Sequence, residues 1–214
     1  MKCMLTKERR LIMKKFLSAV VAMALVLSMS PAVFAADFVD VPDDAWYIHA
    51  LRCAEDLGMV YGDGAGYFNP DTPVTLAQYV TMLGRVMSDV KGAGYDPYLT
   101  WARDIGYIDS STYGADSTIT MEQFAVFLVD FMELTGVVPQ KFWSDLVYTD
   151  DEDVSDFAKD SVKRLAEYSM LVVGEDSMLH PEKEVTRAEC MVALAAYAMS
   201  LREDDWQFSY FENY

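Results

Sequence analysis

One four-residue pattern occurs three times, and each time it heads an apolar-periodic stretch. The copies are Thr75-Leu76-Ala77-Gln78, Thr120-Met121-Glu122-Gln123 and Thr186-Arg187-Ala188-Glu189. Thr followed three residues later by Gln or Glu is a capping box: the hydroxyl accepts from a first-turn N–H, and the longer side chain reaches back to the N–H of the cap. The pattern predicts three helices, from Thr75 to about Asp89, Thr120 to about Thr135 and Thr186 to about Leu201. Each carries a stripe at helical spacing: Ala77, Val80, Leu83, Gly84 and Met87; Ala125, Leu128, Val129 and Met132; Met191, Leu194, Ala195 and Ala198. A single helix of ~15 residues is marginal in water, so the three stripes are expected to bury one another on a shared axis. Gly84 and Ala195 stand at equivalent places and are expected to allow close approach there. The second helix is the most apolar all round (Phe124, Phe127, Phe131), as suits a central, buried helix.

The rest of the chain reads as three diverged copies of one unit. The first, over 36–91, opens with Phe38-Val39-Asp40-Val41 and Asp43-Asp44-Ala45-Trp46. A helix from about Trp46 to Leu57 follows, ended by Gly58, and then a turn-dense loop from Gly62 to Asp71. The second, over 92–147, is degenerate. It has a Lys91–Gly94 link, a helix from Tyr95 to Gly106, a loop shortened to about Asp109–Ser117, and a connector containing Pro139, Phe142 and Trp143. The third, over 148–202, opens with Tyr148-Thr149-Asp150, and Ser155 is the expected N-cap of a helix from Asp156 to Tyr168. The acidic run Asp150–Asp153 lacks the Gly and spaced ligands of a calcium loop and reads as a solvated helix approach. An acidic, aromatic tail, 203–214, is expected to dock on the body or on a partner.

Residues 1–35 read as an export signal: Lys14-Lys15, an apolar run from Phe16 to Met29, and a small-residue cleavage site at Val33-Phe34-Ala35. The run is short for a membrane span, so no stable span is expected after cleavage. The whole chain has 17 basic and 34 acidic residues. Loss of residues 1–35 removes six of the former and one of the latter, leaving a net charge of −22. Such a surface repels nucleic acid and anionic membranes, and an anionic ligand must be met by a local cation. Cys53 and Cys190 fall in apolar helical patterns and suit two separate buried thiols, with one disulfide as the alternative. No Ser-His-Asp, Cys-His or metal-ligand spacing is present, so neither an enzyme nor a cofactor or metal site is expected.

Against this background Arg187 stands out. A cation in the first turn faces the positive end of the helix dipole, and the other two boxes have Leu76 and Met121 there. An ion pair with Glu184 or Glu189 is the plainer account of it. The alternation Phe38-x-Asp40-Val41, Trp46, Ala50-Leu51, Gly58-Met59-Val60, Gly62-x-Gly64, Phe68-x-Pro70 and Val74-Thr75, with Val185-Thr186-Arg187-Ala188-Glu189, resembles the S-layer homology (SLH) domain. The resemblance is strong in the first and third copies and weak in the second.

The resemblance implies a mainly α, pseudo-threefold spindle around a central three-helix bundle. It implies non-covalent attachment of an exported protein to the cell wall, at the cell surface or S-layer. The ligand would be a secondary cell wall polysaccharide, an anionic glycan often bearing pyruvate ketals, held in a groove between repeats. Carried over by residue, Arg187 is the anion clamp, Thr186 and Glu189 shape its turn, Asp40 and Trp46 come from the opening motif, and Gly62 and Gly64 keep the loop open to a sugar. A guanidinium suits a carboxylate, a helix N-terminus offers further N–H groups, and a Trp face suits a sugar ring. The plainer reading of Asp40 and Trp46 is a cap and a core aromatic. Leu76 and Met121 in place of Arg, and Phe157 in place of Trp, leave at most one groove fully equipped. The alternative function is a structural or protein-interaction module at the cell surface that has lost most glycan binding.

Overall fold

A computed structural model describes residues 38–109, 114–139 and 147–201. The expected leader, the acidic tail, and Phe142 and Trp143 of the connector lie outside the described residues. The described residues form six α-helices and no strand: α1 (Ile48–Asp56), α2 (Leu76–Met87), α3 (Asp96–Asp104), α4 (Met121–Thr135), α5 (Lys159–Glu167) and α6 (Arg187–Ser200). The mainly α class follows the sequence reading.

All three capping boxes form, with both reciprocal bonds present at Thr75, Thr120 and Thr186. Ser155 does not cap α5, which starts at Lys159 behind Ala158. Its N–H and hydroxyl instead donate to the carboxylate of the buried Glu122 on α4, both at 3.0 Å. Thr120→Ala removes one such cap and is expected to lower the unfolding free energy by ~1 kcal/mol, read as a reduced denaturant midpoint with unchanged slope.

The three helix heads are tied in a closed ring. Val74 N–H donates to Val185 C=O (2.9 Å), Val185 to Ile119 (3.0 Å), and Ile119 to Val74 (3.1 Å). Isolated bridges follow the same cycle: Pro73 with Thr186, Thr75 with Thr118, and Thr120 with Glu184. The next amides continue it. Leu76 and Ala77 donate to Ser117 and Ala115, Met121 and Glu122 to Lys183 and Pro181, and Arg187 and Ala188 to Thr72 and Pro70. With the capping boxes, these bonds occupy the N-terminal amides that a helix otherwise leaves free.

The shorter helices interlock the repeats in the same sense: α1 packs on α6, α3 on α2, and α5 on α4. No repeat therefore buries its own stripe alone. Between the capped helices, the ring of Tyr79 (α2) meets Phe124 and Phe127 of α4, and Phe131 of α4 meets Tyr197 of α6. The Tyr107 hydroxyl donates to Phe127 C=O at 2.7 Å, so its own oxygen accepts from Tyr79, 2.8 Å away. Burial raises the pKa of both phenols. Enclosure is greatest not in aromatic α4 but in α6, whose buried residues include Ala193, Ala195, Ala196 and Ala198. Small side chains let neighbouring backbones close around it.

Gly84 departs from its expected place on the shared axis. A Cβ there would lie 2.8 Å from Tyr98 Cδ1 and 3.1 Å from Trp101. The close approach it permits is therefore to α3 of the next repeat.

Candidate functional site

In the first repeat Asp40 holds a turn. Its two carboxylate oxygens accept from Phe68 N–H (2.8 Å) and Asn69 N–H (2.7 Å). Asn69 takes the left-handed conformation, φ 58°, uncommon outside glycine. The third repeat repeats the device: Asp150 accepts from Leu179 and His180, both at 2.8 Å, and His180 has φ 53°. The carboxylate crosslinks the opening segment of each repeat to the loop before its capped helix. The acidic run is thus anchored by its buried first member, and Asp151–Asp153 form a single 3₁₀ turn.

This turn places Phe68 under Arg187, whose guanidinium carbon lies 5.1 Å from the ring centroid. Arg187 Nη2 donates to Tyr61 C=O at 2.9 Å. Neither Glu184 nor Glu189 pairs with it: Glu184 accepts from the Thr118 hydroxyl, and Glu189 from Lys183 Nζ (3.1 Å) and Thr186 N–H (2.8 Å). Arg187 Nε is buried without a hydrogen-bond partner. Burial, with the repulsion of nearby Arg85, lowers the Arg187 pKa against the opposing pull of Cys190, Tyr95 and Asp40. Arginine nonetheless stays charged.

Arg187 borders a cavity of about 260 Å³ between the first-repeat loop, α2 and the head of α6. Gly62 lines it, and a Cβ there would meet the Phe38 ring at 2.7 Å. Packing behind the loop thus favours glycine there. Gly64, φ 85°, has open space where a side chain would stand and is not a lining residue. Trp46 is also outside the cavity. It is 44% exposed and packs edge-on against Tyr47, so it is not a core residue. Thr186 and Glu189 serve the cap. The expected supply of helix N-terminal N–H groups is absent, because Arg187 N–H and Ala188 N–H are already bonded to Thr72 and Pro70.

The structure adds residues that the sequence reading passed over. Gln78, Thr81, Met82 and Arg85 line the cavity along one face of α2. Arg85 donates to Met59 C=O at 3.1 Å and lies over the Tyr61 ring at 4.7 Å. The signal was a polar set at i, i+3 and i+7 on an otherwise apolar helix. Exposed Tyr61 and Tyr95 flank the opening. The positions matching Arg85 in the other capped helices are Asp130 and Ala196, so the paired cations belong to one inter-repeat groove. Cys53 and Cys190 are separate and buried, and burial raises the Cys190 pKa.

The S-layer homology domain family model matches residues 37–80 and 147–190, which fall in the first and third repeats. The chain thus carries two stretches that match the S-layer homology domain. It is similar to the S-layer protein sap of Bacillus anthracis, 26% identical over 85% of this chain and 24% of that protein. It is also similar to an endoglucanase of Bacillus sp. (strain KSM-635), 22% identical over 80% of this chain and 20% of that one. A third relative is a cell surface protein of Thermoanaerobacter kivui, 39% identical over 35% of this chain and 10% of that one. The chain thus spans about a quarter or less of the length of these curated relatives.

Proposed function

We propose that this chain is a non-catalytic module that anchors its protein to the cell wall by holding an anionic secondary cell wall polysaccharide in the groove at Arg187. The helices form a three-pronged spindle, for which the cyclic order of head contacts is the support. The module acts at the cell surface. The observation that carries the reading is a partly buried guanidinium with an unpartnered Nε, bordering a cavity, in a chain of net charge −17. A local cation without an ion pair among the described residues is what a polyanion-repelling surface needs in order to bind one anion. Tyr61 and Tyr95 offer flat apolar faces for sugar rings. A pyruvate ketal carboxylate fits the guanidinium fork.

The test is retention on purified cell-wall sacculi with and without their polysaccharide. The wild type is expected to be retained only on intact walls, and Arg187→Gln to lose at least tenfold in affinity while remaining folded. Walls freed of ketals by mild acid would lose the wild type if the ketal is the anion. Unchanged binding by Arg187→Gln sinks the clamp, and equal retention on stripped walls favours a protein-binding surface module instead.

A further inference from the structure

The groove has a second cation that the wall-binding reading does not use. Arg187 Nη2 donates to Tyr61 C=O, and Arg85 donates to Met59 C=O while lying over the Tyr61 ring. Two residues of chain span at most ~7 Å, so both guanidinium groups are fastened to one short segment and line the same cavity. Among the described residues neither makes an ion pair. The carboxylate in the lining, Asp63, accepts through Oδ1 from Ala65 N–H (2.8 Å) and Tyr67 N–H (3.1 Å). Two like charges held together raise each other's energy unless an anion lies between them.

The third member is Thr81, one turn before Arg85 on α2. It is 2% exposed, lines the cavity, and its hydroxyl has no hydrogen-bond partner. A helical threonine ordinarily bonds the carbonyl four residues back, and an unpartnered buried hydroxyl is costly. The hydroxyl is covered. Helical threonine has two favourable χ1 wells, so an arriving anion can draw it to the donor position.

We infer that Thr81 and Arg85 are the specificity-determining half of the groove, which takes a sugar bearing a compact oxyanion that bridges Arg85 and Arg187 and accepts from the Thr81 hydroxyl. The inference rests on the wall-glycan reading and goes past it in naming two cations and a hydroxyl where that reading has one clamp. Carboxylate and phosphate share the required chemistry.

The experiment measures binding of the full chain to purified cell walls, alongside thermal unfolding. Arg85→Gln is expected to weaken binding at least tenfold. Thr81→Val is expected to weaken it about threefold while raising Tm by a few degrees, since it removes a buried hydroxyl without a partner. That opposite movement is one a merely structural threonine would not produce. Walls with amidated carboxyl groups and walls treated with phosphatase separate the two anions, and one of the two treatments is expected to abolish binding. Wild-type binding that survives both overturns the inference. So does wild-type-like binding by both variants while the wild type still requires the polysaccharide. Wild-type binding to polysaccharide-free walls instead overturns the wall-glycan reading itself.

Discussion

Asp150→Ala is expected to lower the unfolding free energy by about 3 kcal/mol. The carboxylate is 5% exposed and accepts two backbone N–H bonds, from Leu179 and His180. Hydrogen bonds to a charged group contribute ~1.5–3 kcal/mol each and are not additive. Removing the acceptor also leaves two amides without partners at a residue held at φ 53°. Asp150→Asn is expected to fall between, because its single carbonyl oxygen can satisfy only one amide well. The first repeat supplies an internal comparison. Asp40 makes the same two bonds in a more exposed setting, so Asp40→Ala is expected to cost ~1–2 kcal/mol. Urea unfolding of the three variants checks the ranking. Equal small losses would show that the loop turns hold without their carboxylates.

Gly84→Leu is expected to cost about 3 kcal/mol by overpacking. The first added carbon already meets Tyr98 Cδ1 at 2.8 Å and Trp101 at 3.1 Å, and Tyr98 is buried. Gly84→Ala separates two opposing effects, since alanine gains ~1 kcal/mol of helix propensity and loses most of it to the ring contact. The change should also loosen the seam between α2 and α3, read as faster amide exchange in α3 than in α5. Unchanged stability of Gly84→Leu would mean that α3 can withdraw freely from α2. It would also undercut the interlocked packing of the repeats.

The capped helices were legible because their determinants are local. A hydroxyl at the cap and a Gln or Glu three residues on bond to amides within the same turn, so four residues suffice to place a helix start. The apolar stripe of each of those helices was legible for the same reason, through spacing along one chain segment, whereas which helix is the most enclosed was not. The partner of Gly84 was not, because a missing side chain names no neighbour. Two positions equivalent by repeat, Gly84 and Ala195, turned out to be small for different reasons: one against rings of α3, the other within the largely buried α6.

Arg187 shows the same division most sharply. Sequence alone determined that it is the first helical residue behind Thr186, that its counterparts are Leu76 and Met121, and that the chain around it is strongly acidic. Only the tertiary structure decided what it faces. Its main-chain and side-chain partners, Thr72 and Tyr61, come from the first repeat, Tyr61 lying 126 residues away. That closure occupies the helix-end amides that sequence reasoning had offered to an anion, leaves Trp46 outside the groove, and brings in Arg85 and Thr81 from a different helix. The physical reason is that a cap is completed within one turn of backbone, whereas a groove is made only when separate repeats close their helix heads into one hydrogen-bonded ring.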